Sequence, residues 1–180
     1  MIEKLEKKPF AKILQGPRIL LQRADAKFAE PLWESILKDR TQRPLSWPGI
    51  ESVNDLRDYL SQVGTDIPEG EVVYLLFKGN DVIGSLHLHT LSYGSHKTEL
   101  GYAIEKNYEG QGYISEAVPL VEKELKELGF NRIEIRCNTD NLRSVRLAER
   151  NQYKHEGTMI QESVENGEYR DTAVFAKILK

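Results

Sequence analysis

One cysteine, Cys137, is all that the 180 residues hold of that type, with two methionines and two tryptophans. A single thiol cannot form an internal disulfide and cannot build a cysteine zinc site. There is no surplus of positive charge either: Lys+Arg 25 against Asp+Glu 28 gives a net charge of -3, so direct nucleic-acid binding is not expected. The longest uninterrupted apolar run is a handful of residues, too short to span a bilayer as a helix. The first thirteen residues, MIEKLEKKPFAKI, are charged throughout and lack the apolar stretch of a signal peptide. Repeats, low-complexity tracts and long linkers are also missing. What is present is 39% apolar residues and 13 glycines, near the globular average. One domain over 17–180, preceded by an arm at 1–16 with little periodicity, in a reducing, cytoplasmic setting, is the expectation.

Periodicity supplies the elements. Residues 18–22 read as a short strand, and 26–37 carry Phe28, Leu32, Trp33, Ile36 and Leu37 at helical spacing. Pro44, Pro48 and Gly49 break the chain around Trp47. Ser52 with Asp55 three residues on predicts a capped helix holding Leu56, Leu60 and Val63. The run Val72-Val73-Tyr74-Leu75-Leu76-Phe77 changes the period, and Gly79-Asn80-Asp81 turns it into a second strand that continues through 87–91. Residues 98–104 predict the next strand. A helix carrying Ile114, Ala117, Val118, Val121, Leu125 and Leu128 follows, closed by Gly129. Strict alternation at 132–137 predicts a strand, 142–148 a short helix, and 153–159 with 169–178 a hairpin turned at Asn166-Gly167. The fold class is therefore α/β or α+β with a mixed sheet.

Chemistry concentrates in Glu109-Gly110-Gln111-Gly112-Tyr113-Ile114, between a strand and an amphipathic helix. Glycines there let the backbone approach a ligand, and the first helical turn offers unpaired N–H groups at a positive dipole end. That suits a phosphate or pyrophosphate. The segment has no Lys-Ser/Thr ending of a P-loop, and Ser115 stands where a Rossmann fingerprint would have its third glycine.

Joined to its neighbours the segment becomes specific. Glu99-Leu100-Gly101-Tyr102-Ala103-Ile104, then Tyr108 through Tyr113, then Glu116-Ala117, resembles the acetyl-CoA-binding signature of the GNAT acetyltransferase superfamily. Asn138-x-x-Asn141-x-x-Ser144, Ala148 through Tyr153 and Glu156-Gly157 are similar to the second half of that pattern. The turn Asn166-Gly167-Glu168-Tyr169-Arg170-Asp171 resembles the RimJ/RimL-like branch, which acetylates N-termini of ribosomal proteins. The likeness runs from about residue 17 to 179. Two departures stand out: Glu109, where the family has Gln or Arg, must point away from an anion or leave its binding to backbone donors, and Ile114 replaces a small residue.

The resemblance implies a mostly antiparallel sheet with a splayed parallel pair, 98–104 beside 133–137, flanked by about four helices. Acetyl-CoA would lie in the splay as acetyl donor, along the backbone of Tyr102, Ala103 and Ile104, with its pyrophosphate on amides of Gly110, Gln111, Gly112, Tyr113 and Ile114. Asn138, Asn141 and Ser144 would also contact it. Glu99 is the first candidate for the base that deprotonates the acceptor amine, against a structural role as an ion pair; Glu162 is the second, though counting back from the turn places the match nearer Ser163. Ser144 would protonate the leaving thiolate. The acceptor expected is a protein N-terminal amine, a ribosomal protein foremost, with a polyamine or aminoglycoside and a non-catalytic acyl-CoA-binding module as alternatives. Strand edges and the hairpin leave a homodimer open.

Four further features carry less. Arg143 and Arg146 read either as phosphate contacts or as a solvated face. His87 and His89 share one strand face with His96 close in sequence, but no further ligand spacing supports a metal, and none is expected. Cys137 falls on the apolar side of its strand and reads as core. Trp47 reads equally as a groove lining or a packing anchor.

Overall fold

The computed structural model describes residues 3–37, 49–64, 68, 70–165 and 167–179. In chain order the elements are β1 (Ile13–Gln15), β2 (Leu20–Arg23), α1 (Ala29–Leu32), α2 (Val53–Val63), β3 (Val72–Lys78), β4 (Asp81–Ser92), β5 (Lys97–Ile104), α3 (Tyr113–Glu127), β6 (Arg132–Asn138), α4 (Leu142–Arg150), β7 (Lys154–Glu165) and β8 (Glu168–Ile178). The strands form one sheet in the order β1-β2-β3-β4-β5-β6-β8-β7. Every neighbouring pair is antiparallel except β5 with β6.

The continuous apolar run in β3 explains the layering. Val72, Tyr74 and Leu76 face a core shared with α3 and α4, and Val73, Leu75 and Phe77 face a second core shared with α1 and α2. A strand covered on both faces cannot alternate apolar with polar, because both sets of side chains leave water. The same parity carries into β5: Leu100, Tyr102 and Ile104 join the α3/α4 side. Glu99, Gly101 and Ala103 therefore face the α1/α2 side.

The parallel pair sets up the site. β5 and β6 pair only at Lys97↔Arg132, Thr98↔Ile133 and Glu99↔Glu134. Beyond that, β5 stays on β4 as far as Gly84↔Ile104, and β6 stays on β8 as far as Asn138↔Thr172. Each strand is held on its outer side and the inner edges part. The splay expected between 98–104 and 133–137 is present.

Several boundaries differ from expectation, each for a local reason. The helix expected at 26–37 is three short pieces: a 3-10 turn (Ala26–Phe28), α1, and a π turn (Trp33–Leu37). Pro31 within α1 has no N–H to give an i−4 carbonyl, so a regular ladder cannot run through the segment. The strand expected at 18–22 is displaced to Leu20–Arg23. The arm at 1–16 ends in β1, and Phe10 is buried in the main core. Behind it, the buried Glu124 carboxylate on α3 accepts from the Ala11 amide and, at 2.6 Å, from the Tyr74 hydroxyl. Pro119 sits in the second turn of α3, which runs unbroken around it. Ser52 caps α2 as expected, its hydroxyl accepting from the Asp55 amide at 3.2 Å. Gly129, at φ +91°, ends α3: its amide and that of Phe130 bond back to Lys126 and Leu125. Trp47, its flanking prolines and Asn166 lie outside the described residues.

Candidate active site

A cleft of about 580 Å³ opens between the free half of β5, the loop 106–112, the N-terminal end of α3 and one face of α4. Tyr102, Ile104, Gly110, Gly112, Tyr113, Ile114 and Ser144 line it, so the splay, the glycine loop and α4 converge as the motifs imply. Gly110 and Gly112 lie at φ +72° and +81°, in the left-handed region where a side chain is strained. Gly112 caps α3 with backbone alone, and the first α-helical bond runs from Glu116 N to Gly112 O. The amides of 113–115 are thus left facing a potential anion.

The charges around this turn are arranged to permit one. Glu109 is ion-paired with Arg143, which answers its expected conflict with a phosphate. Glu116 on the first turn of α3 is taken up by Arg18, whose Nε lies 2.7 Å from the carboxylate. Lys106, Arg143, Arg146 and Arg150 all line the cleft. Arg150 and Lys106 were missed in the sequence, although Arg143, Arg146 and Arg150 fall at i, i+3 and i+7 on one helical stripe. Ile114 is buried in the main core, so its bulk is absorbed by packing.

Not every predicted site residue reaches the cleft. Ala103 is buried facing the other side of the sheet. Gln111 folds its amide back to the Asn107 carbonyl at 2.8 Å. Asn141 caps α4, accepting from the Ser144 amide at 3.2 Å. Asn138, at the end of β6, donates to Glu165 at 2.6 Å. Ser144 faces Tyr102, whose hydroxyl is buried with no hydrogen-bond partner among the described residues. Burial pushes that phenol up to about 12, with the Ser144 hydroxyl pulling the other way. Burial likewise raises the half-buried Cys137 thiol, which stays protonated at neutral pH.

Glu99 stands on the opposite face, at the last paired position before the splay. Its carboxylate is 3.6 Å from the Arg136 guanidinium, which also binds Glu134 at 2.9 Å and feels the charge of Glu162. Glu162 lies in the bulged stretch of β7 between Met159 and Ser163. Both candidate bases therefore converge on Arg136. Glu134 is the buried member: burial alone would raise it, but hydrogen bonds from Arg132 and Arg136 and the Lys97 charge hold it at about 2. A depressed carboxylate stabilises the fold above its unfolded value and loses that contribution as pH falls toward the folded one. Glu134→Gln is therefore expected to flatten the loss of stability between pH about 4.3 and 2. At pH 7 it should cost about 1–2 kcal/mol after solvent screening of the partly exposed arginines. Urea melts across that pH range check both.

Behind Glu99, three residues make the one group among the described residues with metal-ligand spacing: Glu71, His87 and His89. Glu71 Oε1 lies 3.0 Å from His87 Nδ1 and 2.9 Å from His89 Nδ1, and Tyr59 donates to Oε2 at 2.7 Å. Glu71 was missed because 16 residues separate it from His87. His96 is elsewhere, bonded to the Glu3 carbonyl at 2.7 Å.

A family profile described as the acetyltransferase (GNAT) domain matches residues 18–154. The chain belongs to the GNAT acetyltransferase family. This N-acetyltransferase is 28% identical over 155 residues to the ribosomal-protein-serine acetyltransferase of Escherichia coli, covering 83% of this chain and 87% of the relative. It is 25% identical over 175 residues to the uncharacterized N-acetyltransferase YoaA of Bacillus subtilis, covering 91% and 95%. Among solved structures, RimL, a ribosomal L7/L12 alpha-N-protein acetyltransferase in complex with coenzyme A, superposes with a TM-score of 0.83. That match has 26% identity and covers 92% of this chain and 97% of the other. The acetyl donor of the acetyltransferase is acetyl-CoA, and the cleft suits it: left-handed glycines, free amides, a basic rim and an orphaned buried hydroxyl. No helix among the described residues is long and apolar enough to cross a membrane.

Proposed function

We propose that this enzyme acetylates a protein N-terminal amine, with a ribosomal protein as the acceptor class. The observation that carries the reading is two-sidedness. The donor cleft with Ser144 lies on the α3/α4 face, while Glu99, Arg136 and Glu162 lie on the α1/α2 face, and the splay joins them. An extended chain end can approach from the carboxylate side without displacing the donor. The ribosomal-protein acetyltransferases among the relatives support the choice of acceptor.

Acetyl-CoA supplies an acetyl group activated as a thioester. Amides from Gly110 to Ile114 take its pyrophosphate, Lys106, Arg146 and Arg150 any further phosphate, and the inner edge of β5 from Tyr102 to Ile104 its extended arm. Asn138 and Asn141 border that path. A backbone N–H at the splay polarises the thioester oxygen. Glu99 draws in the ammonium and accepts its proton through water, and Glu162 adds negative charge on the acceptor side. Ser144, backed by Tyr102, protonates the thiolate. The products are an amide, a free thiol and one proton.

The carboxylates on the acceptor side favour a second reading, a small polyamine or aminoglycoside. Thiol release with Ser- or Ala-initiated peptides against spermidine separates the two. Higher kcat/KM on peptides upholds the first reading, and turnover confined to the polyamine overturns it. The long β7 edge suits a homodimer, which sedimentation equilibrium tests directly.

A further inference from the structure

We propose that His89 is a second proton acceptor of the active site, held in one tautomer by Glu71. The proposal rests on the acetyltransferase reading and adds to it a residue that sequence motifs do not mark.

Position is the first argument. His89 pairs across the sheet with Glu99, and its ring reaches diagonally to lie on Gly101. A Cβ at Gly101 would fall 2.7 Å from His89 Nε2, so the glycine is what lets the ring settle there. Gly101 lies two residues beyond the last β5–β6 pair, inside the splay. His89 Nε2 is thus set at the opening, on the acceptor face, and its side chain is 30% exposed and reachable from solvent.

Tautomer is the second. Burial would raise Glu71, but hydrogen bonds from His87, His89 and Tyr59 outweigh it and keep the carboxyl well below its usual range. An ionised carboxylate only accepts, so Nδ1 of both imidazoles must carry hydrogen. The ring of His87 is fully buried, kept neutral by that burial, and its Nε2 accepts from the Ser85 hydroxyl at 3.1 Å. In His89 the same carboxylate fixes hydrogen on Nδ1, and Nε2 lies over Gly101 at the splay with no hydrogen-bond partner among the described residues. The groups facing it are Glu71, the stacked His87 ring at 5.3 Å and, across the strand pair, Glu99. A carboxylate behind one imidazole nitrogen, with the other nitrogen free, is an arrangement suited to taking a proton.

Chemistry needs such a group. The acceptor nitrogen sheds two protons between ammonium and amide, and Glu99 provides for one. In the second transfer an N–H bond of the acceptor breaks, its electron pair stays on nitrogen, and a bond forms from hydrogen to His89 Nε2. The imidazolium then returns the proton to solvent.

His89→Ala is expected to lower kcat about 30-fold with KM for acetyl-CoA unchanged, and added imidazole to restore much of the loss. Glu71→Gln, which can still accept from Nδ1 but carries no charge, should fall by a smaller factor without rescue. The assay uses whichever amine the parent acetylates, so the identity of the acceptor does not bear on the outcome. A kcat within twofold of the parent, or a loss that imidazole leaves untouched, overturns the proposal. The His89 tautomer, read by nitrogen NMR, is independent of turnover. If the parent acetylates neither amine class, the acceptor readings fail on their own and the tautomer decides: hydrogen on Nδ1 upholds the proposal and hydrogen on Nε2 sinks it.

Discussion

Glu99→Gln is expected to lower kcat by about 10²–10³-fold while acetyl-CoA binds as before, a barrier increase of roughly 3–4 kcal/mol. The split follows from the two faces of β5. Glu99 points to the α1/α2 side with Arg136, whereas the cleft proposed for the donor is lined by Tyr102 and Ile104 from the other side. The amide keeps the shape and one acceptor oxygen but neither the charge nor the basicity. Arg136 remains held by Glu134, so the fold should tolerate the change. Stopped-flow turnover together with calorimetric cofactor titration measures both halves. Weakened cofactor binding at unchanged kcat would place Glu99 on the wrong side of the chemistry.

Gly84→Val should produce the largest loss of stability, about 3 kcal/mol or more, seen as a fall in Tm of roughly 6–12 °C. Gly84 lies opposite Ile104 on β5, and a Cβ there would come within 2.5 Å of the Ala103 carbonyl oxygen. That contact is with backbone, which cannot rotate away as a side chain can. Relief requires β4 and β5 to separate at the stretch expected to carry the donor, so cofactor affinity should fall along with Tm. Thermal melts with and without coenzyme A test this. An unchanged Tm would mean that the strands carry more slack at that point than the spacing allows.

Much of this arrangement was legible in the residues. β3 announced itself by six apolar positions in a row, because covering both faces removes the polar alternation. The glycine loop was legible because left-handed turns select glycine, at Gly110 and Gly112. The broken segment 26–37 was misread because the apolar spacing is helical while Pro31 denies the ladder. β1 escaped because three residues with an exposed Ile13 carry no period. Glu71 escaped for a different reason. Its partners His87 and His89 sit across the β3–β4 antiparallel register, and no spacing along the chain encodes a meeting made by register.

The same splay that admits a substrate divides the sheet into unequal halves. Five strands, β1 to β5, lie on one side and three, β6, β8 and β7, on the other, with three residue pairs as the only ladder between them among the described residues. Backbone bonding is therefore sparse at the seam, and side-chain packing with α3 and α4 carries the remaining cohesion. A ligand bridging the inner edges would add backbone bonds where the ladder inside the sheet is short. Donor binding then acts as a mortise for the sheet, raising the opening energy of both halves together by an amount set by donor concentration over Kd. The enzyme's rigidity thus becomes a property of the loaded state, tied to how much acetyl donor surrounds it.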